Sequence, residues 1–333
     1  GIINKTSMDR RLFNKIGATS LDRTICSAAG SLGYQLAYGE SKGVNPLDSV
    51  KAKLIIFWGI NALETNMHQA LLAETARKTG AKIIAIDVHR NKTAKWADDF
   101  YMILPGSDGA LALGIAHIIL RDGLEDKAFL EKYSFGFDEF RKKTVEYPPD
   151  KVAVITGLSK ERIEYLAKLY AETKPSFLRI GNGLQHHKNG GINTWLISVL
   201  PALIGAWSYS GGGALKSNSA YFPLNEQALK RPDLLEKPVR TVNMVQLGKA
   251  LCELKNPPIM SLYVYNSNPA VVAPNQNLVI KGLAREDLFT VVHEQTMTDT
   301  AKWADIILPA TTCFEHADLY VSYWHTFIQW ADP

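Results

Sequence analysis

The chain has 333 residues and a formal net charge of +4 at pH 7. This length predicts two domains, and 46% hydrophobic with 21% charged residues is ordinary for a globular protein. The small, dispersed charge gives no indication of a nucleic-acid surface, and no apolar run approaches the ~18 residues of a membrane span.

The cysteines are too few and too scattered for a disulfide framework or a self-contained zinc or iron–sulfur site, because Cys26, Cys252 and Cys313 form no CxxC pair. The first ten residues lack the apolar stretch of a signal peptide, so we expect a cytoplasmic protein unless an export signal precedes Gly1. Neither end resembles a natural terminus, which predicts a fragment cut at both ends.

The first half of the chain alternates short apolar strands with helices. Predicted strands are Leu54–Trp58, 83–86, 101–104 and Ser176–Ile180, and predicted helices are 65–79, 109–120 and Lys160–Glu172. Ser159 is the expected N-cap of the last helix. This alternation indicates an open parallel sheet that helices cover on both faces.

A glycine-rich stretch at 209–219 and a proline-spaced segment at 225–240 interrupt the pattern, which then resumes. A helix is predicted at 242–252, and strands are predicted at 260–265, 288–292 and 304–308. The fold class that this predicts is α/β: two related three-layer αβα Rossmann-like domains with mainly parallel sheets. The predicted domains are 27–215, and 1–26 together with 216–333.

The hexapeptide TAKWAD occurs twice, at 93–98 and at 300–305. Each copy follows an apolar strand, and each leads within a few residues into ILP. We interpret the repeat as a segment that packs in the same way in two related halves. Coincidence is the alternative.

Polar and small residues follow nearly every predicted strand, where ligands bind open α/β sheets. A carboxylate there suits a ribose diol or a guanine N–H edge, and glycine lets a phosphate or ring approach the backbone. The alternative is plain turn chemistry, with Asp87 capping the next helix. No GxGxxG opens a helix, so an ordinary NAD fingerprint is absent. Two matched sheets suggest two nucleotides, or one ligand with two nucleotide-like arms.

Several motifs in order resemble one known family. They are WGIN at 58–61, ID at 86–87 followed by TAKWAD, LPGSDGAL at 104–111, NSNPAVVAPN at 266–275 and ADIILPATTCFEHAD at 304–318. This pattern resembles the molybdopterin oxidoreductases of the dimethyl sulfoxide reductase superfamily over essentially the whole chain. The resemblance implies molybdenum or tungsten held by two molybdopterin guanine dinucleotides, with one guanosine on each Rossmann-like domain.

The same resemblance implies a set of cofactor-binding residues. One dinucleotide is assigned to Asn61, Asp87, Gly106 and Asp108, with Gly59, Gly181 and Gly183 at the neighbouring strand ends and His186 near the pterin; the other is assigned to Asn266, Asn268, Glu294 and Thr298. Adjacent histidines on a loop cannot easily converge on one ion, so neither His186 nor His187 is predicted as a metal ligand. Lys188 and Lys216 could contact a phosphate, but isolated lysines more often face water, and this is the expectation for both.

One cysteine is singled out by its surroundings. The stretch around Cys26 resembles the segment that carries the protein ligand to the metal in nitrate reductases and formate dehydrogenases, which makes Cys26 the predicted metal ligand and catalytic residue. A thiolate suits a high-valent metal that also binds dithiolene sulfurs. A buried small hydrophobe is the alternative. Ser27 departs from the His or Met of those two enzyme groups, so neither substrate carries over.

The resemblance implies a molybdenum-dependent oxidoreductase that transfers an oxygen atom or a hydride equivalent to or from a small-molecule substrate. Electrons are expected to pass through a 4Fe–4S cluster in a missing upstream domain, to or from an electron-transfer subunit. A final domain is also missing, so the fragment alone is expected to be inactive. Two alternatives stay open: a redox-inactive scaffold in an electron-transfer complex, and a non-redox hydratase on the same fold.

Overall fold

The computed structural model describes residues 2–333, apart from the side chains of residues 4–6. The chain forms two compact units. The large unit contains Ala29–Pro223 and Ser322–Phe327, and the divided unit contains the residues up to Ala28, Leu224–Val321 and Ile328–Pro333. The domain boundaries derived from the sequence stay predictions.

The strands of the described chain are numbered in order. They are β1 (Ser20–Asp22), β2 (Leu54–Trp58), β3 (Lys82–Asp87), β4 (Asp99–Met102), β5 (Ser176–Ile180), β6 (Gly213–Leu215), β7 (Thr241–Asn243), β8 (Ser261–Tyr265), β9 (Phe289–Glu294), β10 (Ile306–Pro309), β11 (Asp318–Tyr320) and β12 (Gln329–Ala331).

The helices are numbered in the same way. They are α1 (Met8–Lys15), α2 (Ala28–Tyr38), α3 (Ala62–Thr65), α4 (Met67–Lys78), α5 (Lys92–Trp96), α6 (Asp108–Arg121), α7 (Lys127–Tyr133), α8 (Phe137–Thr144), α9 (Pro149–Thr156), α10 (Lys160–Glu172), α11 (Gly190–Leu203), α12 (Glu226–Lys230), α13 (Leu247–Glu253), α14 (Pro269–Val272) and α15 (Gln276–Leu283). A short π-helix spans Ile2–Ser7, and 3₁₀ turns span Pro46–Lys51, Gly183–Gln185, Ala206–Ser208, Pro232–Leu234, Met244–Gln246 and Ala301–Trp303.

The large unit is built on a five-stranded parallel sheet in the order β4-β3-β2-β5-β6. Every residue of β2 and β5 is buried, because helices cover both faces. Ile56 and Ile84 belong to the core that α6, α10 and α11 close, whereas Ile55 and Phe57 face α4. The strand order reverses between β2 and β5, so the loops after these two strands flank the topological switch point, where such sheets bind ligands.

The divided unit contains a three-stranded parallel sheet in the order β10-β9-β8. Its apolar core includes Leu251 of α13 and Val279 and Leu283 of α15. Phe13 of α1 packs against the Tyr265 ring at a centroid distance of 5.7 Å. A parallel pair, β1 with β7, and an antiparallel pair, β11 with β12, complete the strands of this unit.

The predicted α/β class with mainly parallel sheets is confirmed, and β2, β5 and α10 have the predicted bounds. Ser159 caps α10 as expected, because its hydroxyl accepts a hydrogen bond from the Arg162 amide at 3.3 Å. The helix predicted at 242–252 is partly wrong. Its first residues form β7 instead, because they pair with β1. That strand is distant in the sequence, and a local helical pattern does not reveal such a pairing.

Candidate functional site

The two TAKWAD segments make the same hydrogen bonds in their separate units. Oδ1 of Asn61 accepts from the Thr93 amide at 3.3 Å and from the Thr93 hydroxyl at 3.1 Å. Oδ1 of Asn268 accepts from the Thr300 amide at 3.2 Å and from the Thr300 hydroxyl at 2.6 Å. Each threonine oxygen also accepts one further amide, from Leu63 at 3.0 Å and from Ala270 at 3.0 Å.

The aspartate that ends each hexapeptide makes a second equivalent hydrogen bond, to a backbone amide. Oδ2 of Asp98 accepts from the Ile83 amide at 2.7 Å, and Oδ2 of Asp305 accepts from the Thr290 amide at 2.7 Å. Because each pair is shifted by the same 207 positions, the copies occupy the same place behind equivalent strands. The prediction that the repeat packs in the same way in two related halves is confirmed for these contacts, although the first copy forms α5 and the second a 3₁₀ turn.

These asparagine–threonine contacts predict matched stability losses. Thr93→Val and Thr300→Val each remove a hydroxyl that is 0% exposed, leaving an asparagine oxygen and a backbone amide without that partner. We expect each change to lower the free energy of unfolding by about 1–3 kcal/mol, measured by urea denaturation. Thr75→Val, at an exposed hydroxyl, is the control and should change stability by less than about 0.5 kcal/mol. If neither Thr93→Val nor Thr300→Val changes the free energy of unfolding, the asparagine–threonine hydrogen bonds do not stabilise the two halves.

At the carboxyl ends of the large unit's strands, Asp108 is the most constrained polar group. Its side chain begins α6 and is 3% exposed. Oδ1 accepts from the Trp58 indole N–H at 2.9 Å, whereas Oδ2 has no hydrogen-bond partner among the described residues. Burial raises the pKa of the Asp108 carboxyl above its ordinary value, and the Trp58 hydrogen bond lowers it in part. Oδ2 is therefore a buried acceptor available to an N–H donor.

Three residues near Asp108 were missed by the sequence reasoning. The Asn189 amide donates to the Gly106 carbonyl at 2.8 Å, and Asn193 accepts from the backbone of the first turn of α6 at 3.1 Å. The His187 ring lies by the loop that precedes α6, since a Cβ on Gly106 would be 3.8 Å from its Cγ. His186, the predicted cofactor contact, is exposed on the same loop. Only tertiary packing shows which of two adjacent histidines turns towards the strand ends.

Asp87, at the end of β3, already has intramolecular partners. Its two oxygens accept from the Val88 amide at 2.7 Å and from the Asn91 side-chain amide at 2.9 Å. Asn91 in turn caps α5, the helix of the first TAKWAD, by accepting from the Ala94 amide at 2.9 Å. Burial raises the pKa of Asp87 although these hydrogen bonds lower it in part. Asp87 thus orients the cap of the repeated segment.

The glycines after β2 and β5 are needed for close backbone approach. A Cβ on Gly181 would lie 2.0 Å from the Gly59 carbonyl oxygen, and a Cβ on Gly183 would lie 3.2 Å from the same atom. Gly59 also has a φ of +64°, which favours glycine. Gly59, Gly181 and Gly183 therefore lie together at the switch point, and the sequence assigned all three to the cofactor.

This approach predicts a graded effect of adding one methyl group. Gly181→Ala should lower the free energy of unfolding by about 2 kcal/mol, because its Cβ meets rigid backbone rather than a flexible side chain. Gly183→Ala is the matched control, with a smaller expected loss, since the same oxygen is 1.2 Å farther away (3.2 Å less 2.0 Å). Thermal unfolding of both variants measures which loses more stability. Equal losses of stability would contradict the prediction.

Lys216 corrects an expectation. It was predicted to face water, but it is 4% exposed at the end of β6, and its ammonium lies 3.3 Å from Oδ1 of Asn182. The burial arises because α2 approaches closely: a Cβ on Gly30 would lie 2.7 Å from Cε of Lys216. Lys188 is exposed, as expected. Lys216 is thus a buried cation at the same end of the sheet as Asp108.

The predicted residues of the divided unit lie at the corresponding strand ends. Asn266 follows β8 with a φ of +54° and is exposed, in the position that Gly59 has after β2. Glu294 ends β9, and its carboxylate accepts from the Gln295 amide at 2.8 Å. The Thr298 hydroxyl accepts from the Ala301 amide at 3.2 Å, as Asn91 does in the other copy. Glu294 and Thr298 are half-buried.

Cys26 is exposed, so the alternative of a buried hydrophobe is wrong. It lies between β1 and α2. The segment before it is held by Met244, whose sulfur accepts from the amides of Thr24 and Ile25 at 3.0 and 3.4 Å. The Thr24 hydroxyl also donates to Asn243 at 2.6 Å. Within residues 2–333 no group of three or more His, Cys, Asp or Glu side chains is arranged to hold a metal.

Among the helices of the described chain, none is both long enough and apolar enough to cross a bilayer.

Two related α/β halves with matching hydrogen-bonded loops define a duplicated, Rossmann-like class of ligand-binding protein. Residues 6–332 match the family model "Molybdopterin oxidoreductase". The chain belongs to this family, within the dimethyl sulfoxide reductase superfamily, as the sequence predicted.

The relatives include oxidoreductases. "Probable oxidoreductase YoaE" of Bacillus subtilis (strain 168) is 54% identical across 100% of this chain and 49% of its own length. "Dimethyl sulfoxide reductase DmsA" of Escherichia coli (strain K12) is 29% identical, covering 88% of this chain and 41% of its own. The solved structure of "Acetylene Hydratase from Pelobacter acetylenicus" has a TM-score of 0.79 and 23% identity, over 98% of this chain and 50% of its own, and so shows the fold. The chain spans about half the length of these proteins.

Proposed function

We propose that the intact protein is a molybdenum-dependent oxidoreductase whose metal is held by two pterin guanine dinucleotides, one guanosine on each α/β half. The observation that carries this proposal is the repeated hydrogen-bond frame at the same strand ends of both sheets. A duplicated frame suits a ligand with two chemically identical arms.

The residues of the large unit fit such a guanine. Guanine presents adjacent N–H donors, and Oδ2 of Asp108 is a buried acceptor without a partner among the described residues. The Gly106 backbone has a φ of +79°, and a Cβ there would lie 3.5 Å from Oδ1 of Asn189 and 3.8 Å from the His187 ring, so polar side chains surround this glycine. We assign Asn61, Asp87, Gly106 and Asp108 to one dinucleotide, with Gly59, Gly181, Gly183 and His186 at its margin, and Asn266, Asn268, Glu294 and Thr298 to the other.

The bound metal centre would supply two-electron redox chemistry by which an oxygen atom or hydride equivalent is exchanged with a small substrate. The chain's own residues bind and orient it. Asp108 holds a guanine edge, Asp87 fixes the α5 cap through Asn91, and the Cys26 thiolate serves as the metal's protein ligand. The exposure of Cys26 agrees with a sulfur that binds a group outside the protein core.

The intact protein is further proposed to carry a 4Fe–4S cluster in its remaining half, to exchange electrons with a separate subunit and to reside in the cytoplasm. The resemblance to the superfamily supports the first two statements, and the third rests on the lack of a signal-peptide pattern in the first ten residues. The two domains are proposed as 27–215, and 1–26 with 216–333.

The stoichiometry of the cofactor tests the proposal. Purified full-length protein is hydrolysed in acid, and released GMP, molybdenum and tungsten are quantified against protein. We expect two GMP per metal and about one metal per chain. One GMP per metal would contradict the two-armed ligand, and protein without metal or GMP would support the redox-inactive scaffold instead.

Assays with artificial electron donors and acceptors then separate oxidoreductase from hydratase. Reduced viologen is offered with sulfoxides, N-oxides and nitrate, and turnover is compared with hydration of an unsaturated substrate in the absence of any acceptor. Turnover that consumes electron donor supports the proposal. Hydration alone, with no electron transfer, overturns it.

A further inference from the structure

The large unit has an acidic and a basic side at the carboxyl edge of its sheet. On the acidic side, Asp87 ends β3 and Asp108 begins α6. By contrast, no Asp or Glu occurs between Glu172 and Glu226, the stretch that contains β5, α11 and β6. The lysines and arginines of this stretch are Lys174, Arg179, Lys188 and Lys216. A region that carries charge of one sign attracts ions of the opposite sign, so the basic side suits an anion.

Lys216 is the buried lysine of this basic side. It follows β6 directly and is 4% exposed. Its Nζ lies 3.3 Å from Oδ1 of Asn182, on the loop after β5. Its Cε packs against α2, where a Cβ on Gly30 would lie 2.7 Å from it and 2.5 Å from Oε1 of Gln185. Since an ammonium group has three N–H donors, the contact with Asn182 does not prevent Lys216 from also binding a ligand oxygen.

Arg179 holds the backbone that carries Lys216. This arginine lies in β5 and is 4% exposed. Its Nη1 is 2.9 Å from the Leu215 carbonyl oxygen and 3.2 Å from the Lys216 carbonyl oxygen. Burial lowers the pKa of Arg179 to about 10, so the side chain is still a cation at neutral pH. Arg179 is therefore a positioning residue, which acts through the end of β6.

Lys216 and the proposed guanine contacts lie on opposite sides of the switch point. In the sheet order β4-β3-β2-β5-β6, three spacings of about 4.8 Å put the ends of β3 and β6 roughly 14 Å apart. Gly59 and Gly181, which follow β2 and β5, lie between them. On the Lys216 side, Gly30 is four residues after Cys26, and the chain alone limits the distance between their Cα atoms to about 14 Å. This position suits the metal end of the dinucleotide better than its guanine end.

We infer that Lys216 binds one oxygen of a small oxoanion substrate and thereby favours anionic over neutral oxygen donors. The inference rests on the proposed function and names the substrate class of that site. Taking an ammonium group out of water costs free energy, and a bound anion offsets part of this cost. A charge-assisted hydrogen bond is about twice as strong as a neutral one, so a sulfoxide or N-oxide gains less from the same lysine.

Steady-state kinetics of full-length protein with reduced viologen test the inference. Nitrate and chlorate are the anionic probes, and dimethyl sulfoxide and trimethylamine N-oxide are the neutral ones. With nitrate, two electrons from viologen and two protons are consumed, one N–O bond breaks, and nitrite and water leave. Lys216→Met should lower kcat/KM for the anions about 30-fold, mainly by raising KM, and change it less than about threefold for the neutral probes. Lys216→Arg, which keeps the charge, should lose less than about tenfold on the anions.

Anion binding without turnover provides a readout that does not depend on activity. Oxidised full-length protein is unfolded by heat at constant ionic strength, with nitrate or chlorate in place of chloride. A ligand that binds only the folded state stabilises it, so we expect a higher midpoint for the parent and an unchanged one for Lys216→Met. Lys188→Met, at an exposed lysine of the same stretch, is the matched control and should behave as the parent does.

A second variant tests the geometry without altering a buried residue. Asn182 is exposed, and Asn182→Ala removes the oxygen that orients the Lys216 ammonium. It should raise KM for the anions about fivefold and leave KM for the neutral probes unchanged. Circular dichroism verifies that each variant is folded, and if Lys216→Met does not fold, Asn182→Ala decides.

Three results overturn the inference. If neither anion raises the unfolding midpoint of the parent, the site does not bind small oxoanions. An equal loss of kcat/KM for anionic and neutral probes shows that Lys216 has only a structural role. Loss of GMP from Lys216→Met shows that the ammonium binds the pyrophosphate of the dinucleotide instead of substrate. Failure of the proposed function is distinct from all three, because the parent itself would then lack the metal or the two GMP.

Discussion

In full-length protein, Cys26→Ala is expected to lower turnover by on the order of 10³-fold while the two guanine nucleotides remain bound. The physical reason is that the exposed thiolate is proposed as the one sulfur that the polypeptide gives to the metal, whereas the dinucleotides are held by separate residues at the strand ends. X-ray absorption at the molybdenum edge measures the effect directly, as the loss of one sulfur scatterer. Released GMP should stay at two per chain.

The other two cysteines provide matched controls. Cys313 is also exposed, and Cys252 is half-buried with its sulfur 3.6 Å from the Leu278 carbonyl oxygen. Alanine at either position should leave turnover and the absorption spectrum unchanged. Full activity in Cys26→Ala, or an unaltered sulfur count, would remove Cys26 from the metal site. Loss of GMP together with the metal would instead show that Cys26 is needed for cofactor assembly as a whole.

The duplicated fold was predictable because it rests on local signals. Apolar strands, polar residues at their ends and an identical hexapeptide recur at one fixed spacing, and the same side chains make the same bonds in both halves. The ends of some strands differ from the prediction because pairing with a neighbouring strand sets them. For example, β4 begins at Asp99, two residues before the predicted strand, because Asp99 pairs with Ile84 of β3.

The prediction failed where distant segments meet. Lys216 looks like a surface lysine in sequence, and its burial depends on Gly30 in α2, 186 positions away by subtraction of the residue numbers. His187 and His186 are indistinguishable as neighbours, and only the packing of their loop near Gly106 separates them. No local pattern carries such information, because each contact joins elements that the sheet order brings together.

Asp108→Asn is expected to weaken retention of the cofactor about 100-fold while making the cofactor-free protein more stable at neutral pH. Weaker retention follows because the carboxylate is proposed to accept guanine N–H groups, and truncating a buried charged partner typically costs about 2–5 kcal/mol. Higher stability follows because a neutral amide replaces a buried carboxylate that has a hydrogen-bond partner for only one of its two oxygens. We expect the free energy of unfolding to rise by about 1 kcal/mol. GMP retained after gel filtration measures the first effect.

The pH dependence of stability distinguishes the loss of the buried Asp108 charge from a nonspecific structural effect of the substitution. Because burial raises the pKa of Asp108 in the folded state, the folded protein binds more protons than the unfolded chain between the ordinary and the raised pKa. Stability therefore falls as pH rises through that interval, and Asp108→Asn removes this contribution. The advantage of the variant over the parent, measured by urea unfolding of cofactor-free protein, should grow from pH 4 to pH 7.

Asp122→Asn is the control of opposite sign. The hydrogen bond from Arg121 lowers the pKa of Asp122, so its contribution to stability is present above the ordinary pKa and is lost as pH falls. Asparagine there should slightly reduce stability at pH 7 and leave GMP retention unchanged. If Asp108→Asn behaved like Asp122→Asn in both measurements, Asp108 would be an ordinary structural carboxylate, and the proposed guanine contact in the large unit would have to be abandoned.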